Sequence, residues 1–201
     1  MCRRRRTDGV GSVRYRMPWI PQQPVLNHAG PDTGLTVELA AVVTGARRRA
    51  LRDGDRQIDT AHLLHSLIES DPEVRAAFEG GSQLARVLGY LVQRSIGYGL
   101  RWQGSVEDSG ALPVVSRNDL AVRDFGVEGW SPSAAAAMSG ALGRAAERGD
   151  VRAGGLDLLA ALAVDRECRA VEVLSRAGVD ADELAARVAD VRDRGVPEAR
   201  G

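Results

Sequence analysis

The chain has 201 residues, room for one medium domain or two small ones. Its 44% hydrophobic and 27% charged residues are the proportions of a folded globular chain, not a disordered one. Acidic and basic residues balance at 27 each, which argues against nucleic acid or a membrane surface as the main partner.

Every basic residue is arginine; there is no lysine. That excludes a P-loop lysine for ATP, a Schiff base and a Ser-Lys dyad. Three Trp, three Tyr and two Phe are all the aromatics, so the core is expected to be aliphatic. Cys2 and Cys168 lie far apart and form neither a disulfide framework nor a metal-ligand pair. A reducing, cytoplasmic location follows as the expectation. Arg3 to Arg6 are not followed by the apolar stretch that a targeting signal needs. No apolar run reaches the roughly 18 residues of a membrane span.

Residues 1–34 hold Pro18, Pro21, Pro24, Pro31, four glycines and six arginines against Asp8 and Asp32, and read as a flexible arm of net charge +4. From Thr36, an N-cap residue, Val37, Ala40, Ala41, Val43 and Ala50 recur at helical spacing up to Gly54. Asp59 or Thr60 caps a second helix with Leu63, Leu64, Leu67 and Ile68 on its apolar face. Asp71-Pro72 opens a short third helix, which Gly80-Gly81 ends. A fourth starts at Ser82, with Leu84, Val87, Leu88, Leu91 and Val92 turned inward. Residues 95–129 are too long for a tight connection and read as a loop pinned by Trp102 or Phe125.

The pattern then returns. Trp130-Ser131-Pro132-Ser133 opens an Ala-rich helix, and Leu158, Leu159 and Leu162 repeat Leu63, Leu64 and Leu67 at an offset of 95. The same offset carries Thr36 onto Ser131, Ala50 onto Ala145, and Gly54-Asp55 onto Gly149-Asp150. The expected architecture is therefore all-α: a duplicated four-helix unit, residues 35–94 and 130–190, forming one pseudo-twofold domain of about eight helices. Residues 191–201 are expected to fray.

This arrangement resembles the N-terminal domain of the Clp ATPase chaperones, of the ClpC and ClpA type, known as the Clp repeat. Leu35-Thr36 stands where that family has Phe-Thr, and Gly54-Asp55-Arg56-Gln57-Ile58-Asp59-Thr60-Ala61-His62-Leu63-Leu64 is similar to its G-x-x-x-I-G-T-E-H-L-L signature. Trp130-Ser131-Pro132 resembles the second Phe-Thr-Pro, and Gly178-Val179-Asp180 with Leu184 resembles the last turn and helix. The resemblance implies a non-catalytic docking domain, here expected to stand alone without the AAA+ modules. Its implied partners are a Clp ATPase, its adaptors or its protein substrates, and its implied action is that of adaptor, decoy or regulator.

In some bacteria the family's module recognises phosphorylated arginine. A hydroxyl and free N–H groups at a helix N-terminus hold the phosphate, and a glutamate of the T-E-H motif holds the guanidinium. Here Thr36 and Ser131 keep the hydroxyls, while the glutamate positions are Ala61 and Leu156. Thr36 and Ser131 are thus expected to bind an anion weakly, without selectivity for phosphoarginine. Leu35 and Trp130, with Arg47, Arg48, Arg49 and Arg52 on the first helix, are the expected partner surface.

No G-x-S-x-G, H-E-x-x-H or dinucleotide fingerprint occurs, so no catalytic residue, no cofactor and no ATP are expected. His62 and His65 are three apart but lack further ligands, so they are read as capping or packing groups rather than a metal site. Cys168 reads as a small core residue. The alternative function is a nucleic-acid-associated regulator that uses the basic arm of residues 1–34.

Overall fold

The computed structural model describes residues 34–95, Glu107 and residues 129–195. The arm of residues 1–34 (Gly34 apart), with His28, and the pins expected at Trp102 and Phe125 lie outside the described residues. So does the tail beyond Gly195.

Among the described residues the chain forms eight helices and no β-strand, which makes it all-α. They are α1 (Val37–Asp53), α2 (Thr60–Ser70), α3 (Pro72–Ala76), α4 (Gly80–Ser95), α5 (Pro132–Glu147), α6 (Gly155–Val164), α7 (Arg169–Arg176) and α8 (Ala181–Gly195). None is long and apolar enough to cross a membrane.

The two central helices are α2 and α6. Thr60 through Ile68 and Gly155 through Ala163 are buried on every side, the signature of helices enclosed by others. Helix α1 packs along α2, and α5 packs along α6. The third helix of each set reaches across the molecule: α7 packs on α2, and α3 packs on α6. Leu63, Leu64, Leu67, Leu158, Leu159 and Leu162 are all fully buried, as their periodicity requires. Burying each contributes about 1.5 to 3 kcal/mol relative to exposure.

Two isolated parallel bridges tie the halves together, Leu35 to Ala153 and Ile58 to Trp130. They correspond at the offset of 95, and so do their hydrogen bonds. The N–H of Thr36 donates to the Ala153 carbonyl (2.9 Å), as the N–H of Ser131 donates to the Ile58 carbonyl (2.8 Å). Gly34 and Gly129 precede the paired residues at φ +64° and +110°, a region costly for any residue with a Cβ. Each half thus offers one backbone edge to the other, in matching positions.

Gly155, at the start of α6, is required for a different reason. A Cβ there would lie 2.0 Å from Oδ2 of Asp71, which caps α3. The close approach of α3 to α6 depends on its absence.

Three local expectations are corrected. Helix α4 begins at Gly80 rather than Ser82, because Gly80 takes the left-handed turn and the following residues can then continue as helix. Val92 is half exposed, on the outer side of α4. Helix α8 runs through Gly195, beyond the boundary at 190 where fraying was expected.

Candidate functional site at the paired helix termini

Thr36 and Ser131 both cap their helices. The Thr36 hydroxyl accepts the N–H of Leu39 (3.2 Å), and Ser131 Oγ accepts the N–H of Ala134 (3.1 Å). There the equivalence ends. Thr36 is half-buried, with Val37 and Glu38 exposed beside it, whereas Ser131 is completely buried.

The group that seals Ser131 is Glu107. Its Oε2 accepts from Ser131 Oγ (2.7 Å) and from the Thr60 N–H (2.9 Å). Its Oε1 accepts from the Arg169 N–H (2.7 Å) and from the Thr60 hydroxyl. Thr60 Oγ1 in turn accepts the N–H of Ala170 (2.9 Å). One carboxylate therefore meets the N-termini of α2, α5 and α7, where free N–H groups and helix dipoles favour a negative charge. The expectation that Ser131 presents a free helix terminus is corrected: the chain's own carboxylate occupies it.

The reason lies in the local sequence of α7. In the first half Asp71 caps α3, accepting the N–H groups of Glu73 (2.9 Å) and Val74 (3.2 Å). The corresponding cap of α7 is Cys168, whose side chain accepts no such bond. Glu107 supplies the missing acceptor from the connecting segment. Cys168 itself is buried, its Sγ 3.6 Å from the Leu162 carbonyl. Burial pushes its thiol up to about 11, so it stays protonated and unreactive as a nucleophile.

Beside this hub lies a buried polar cluster. Asp59 caps α2 through the His62 N–H (2.9 Å), and Nδ1 of His62 accepts the Asp59 N–H (3.1 Å), a reciprocal capping box. Asp59 also pairs with Arg94 and with Arg169 (2.7 Å). Burial would raise its carboxyl, but His62 and Arg94 outweigh it and hold the group well below the usual carboxylate range. Asp55, Asp59 and His62 have ligand atoms within 4.8 Å of one another. Arg94 already bridges Asp55 (2.9 Å) and Asp59, so a guanidinium supplies the positive charge that a metal would. In the second half Asp157 replaces His62 as the capping residue, accepting the Gly154 N–H (2.9 Å) and pairing with Arg148 and Arg192.

The residues expected to make a partner surface do not share one face. Leu35 and Trp130 are buried, because the two parallel bridges draw them into the core. Arg47, Arg48 and Arg52 are exposed on α1. Arg49 turns inward instead, to Ser66 Oγ (3.2 Å), His65 Nδ1 (3.4 Å) and Glu69. Ala61 and Leu156 are buried, so neither glutamate position offers a carboxylate. Asp59 is committed elsewhere, which leaves Glu38 as the acidic residue in the first turn of α1.

Neither a protein-family profile nor a curated protein sequence matches the chain. Among solved structures it is similar to the N-terminal domain of ClpD, a caseinolytic-protease-associated chaperone of Arabidopsis thaliana. The identity is 18% and the TM-score 0.56, over 84% of this chain and 99% of that one. The chain thus has the fold of a Clp N-terminal domain.

Proposed function

We propose that this chain is a non-catalytic protein-docking module. It acts in the cytoplasm as an adaptor, decoy or regulator toward a Clp ATPase, its adaptors or its protein substrates. One observation carries the reading: the similarity takes in 99% of the domain that opens a protease-associated chaperone. The two halves correspond at the offset of 95 in their bridges and in the Thr36 and Ser131 caps, which supports an origin by duplication.

The side chains agree with a binding role. The hydroxyls of Thr60 and Ser131 are held by Glu107, His62 and His65 are engaged in capping and packing, and the Cys168 thiol is buried and protonated. Exposed Arg47, Arg48 and Arg52 offer a basic face to an acidic partner surface.

Affinity capture from the native cytoplasm, with the full chain as bait, tests the reading. Recovery of a Clp ATPase, adaptor or substrate is expected, and its loss on joint replacement of Arg47, Arg48 and Arg52 by Glu would assign the face. Adding the chain to Clp-dependent degradation should speed it for an adaptor and slow it for a decoy. No capture and no effect on degradation would overturn the reading.

A further inference from the structure

In the first half, the groove between α1 and α2 is closed from within. Arg49 lies across it, donating to Ser66 and His65 and pairing with Glu69. At the offset of 95, Arg49 becomes Arg144, but Ser66 becomes Ala161, His65 becomes Ala160 and Glu69 becomes Val164. Every polar partner is gone, and the arginine is kept.

What remains is a cavity of about 240 Å³ between α5 and α6, with Arg144 on its wall. Among the described residues Arg144 has no ion-pair partner; Asp165 lines the same cavity but makes no pair with it. The floor is of small residues, Ala136, Gly140 and Ala161, and Val164 is exposed at the rim. A Cβ on Gly140 would meet Ala161 at 3.3 Å, so the two helices cross too closely for the floor to fill itself. Ser133 also lines the cavity, and its Oγ is buried with no hydrogen-bond partner among the described residues. Native structures rarely leave a buried hydroxyl so. A hollow of this size is below the roughly 300 to 1,000 Å³ of metabolite sites and suits one or two side chains of a peptide.

We propose that this groove recognises an acidic segment of a partner protein. A glutamate carboxylate of the partner pairs with Arg144, in the place that Glu69 takes on Arg49. An aliphatic neighbour of that glutamate fills the floor over Gly140 and Ala161, and Ser133 Oγ hydrogen-bonds the peptide. The assignment rests on the docking role proposed above and names the chemistry of one docked segment.

Calorimetric titration of the full chain tests it at physiological ionic strength. The probes are a short peptide of Leu-Glu pairs, amidated at its C-terminus so that its carboxylates are all side chains, and its Leu-Gln counterpart. The Leu-Glu peptide should bind at least about tenfold tighter, the scale of one charge-assisted hydrogen-bonded pair. Arg144→Gln should abolish that preference. So should Val164→Glu, which rebuilds the internal pair of the first half and closes the groove without emptying the core. Arg48→Gln, outside the groove, should leave it unchanged. Equal binding of both peptides, no binding of either, or a preference that survives Val164→Glu would overturn the pocket. Capture of Clp components by the full chain is read independently, so the docking role can stand when the pocket falls.

Discussion

Ser131 and Glu107 are joined by a buried hydrogen bond of 2.7 Å, which fixes a residue of the inter-repeat segment against the N-terminus of α5. The same carboxylate reaches α2 through Thr60 and α7 through Arg169. It thereby links the start of the second helix in one half to the starts of the first and third helices in the other.

Glu107 should accordingly be a stability determinant of the whole domain. Glu107→Ala leaves the Thr60 and Arg169 N–H groups and the Ser131 hydroxyl without their acceptor in a buried site. The expected loss is about 3 to 5 kcal/mol in denaturant unfolding, and Glu107→Gln, which retains one carbonyl, should lose less. A Glu107→Ala midpoint equal to that of the parent would show that the contact contributes nothing.

Gly155→Ala tests the crossing of α3 on α6. On propensity alone, alanine in a helix should stabilise by about 1 kcal/mol over glycine. The new methyl would instead collide with the Asp71 carboxylate at 2.0 Å, the group that caps α3. We expect net destabilisation of about 1 to 3 kcal/mol, read by thermal or denaturant unfolding. A stabilised variant would mean that α3 can move away at little cost.

His65 sets a pH dependence. Burial, with Arg49 beside it, pushes its imidazole down to about 4. The unfolded chain takes up this proton near the ordinary value of 6.5, while the fold still excludes it. Stability that His65 contributes is therefore complete above pH 6.5 and is lost as the pH falls from there toward 4. The facing charges are Arg49, Arg52, Asp53 and Glu69, and Asp59, held low, responds only below this window. Unfolding free energies measured between pH 7.5 and 5 should fall for the parent and stay flatter for His65→Gln. Parallel curves for the two proteins would remove His65 as the cause.

Anion binding should be confined to Thr36. Inorganic phosphate and phosphoarginine are expected to shift the amide resonances of Val37 to Leu39 alike and weakly, leaving those of Ser133 and Ala134 undisturbed. Free N–H groups attract either anion, but no carboxylate replaces Ala61 to hold a guanidinium. A tenfold preference for phosphoarginine, abolished by Glu38→Gln, would show that Glu38 has taken that part.

The helices were legible because their signals are local. Leu63, Leu64 and Leu67 recur at a spacing that lines one face, Asp59 and Ser131 are good caps, and Pro132 opens a helix. Recurrence at an offset of 95 also makes the paired halves visible, and the two bridges are related by the same offset. Such features depend on a few neighbouring residues, so composition and spacing suffice to find them.

The accessible surface was decided elsewhere. Leu35 and Trp130 look like exposed apolar residues ahead of a helix until backbone pairing with Ala153 and Ile58, far along the chain, buries them. Glu107 belongs to a stretch without periodicity, and nothing near it in sequence marks it; its role exists only where three helix N-termini converge. Arg49 and Arg144 are the same residue at matching positions, and each falls on a helix as its spacing requires. That, among the described residues, one has an ion-pair partner and the other has none follows from Glu69 and Val164 on the facing helix. Local sequence determined which segments are helical and that Leu63, Leu64, Leu67, Leu158, Leu159 and Leu162 are buried. Which charges are neutralised was decided by partners that meet only when the helices pack, because an ion pair or a cap depends on distance in space rather than along the chain.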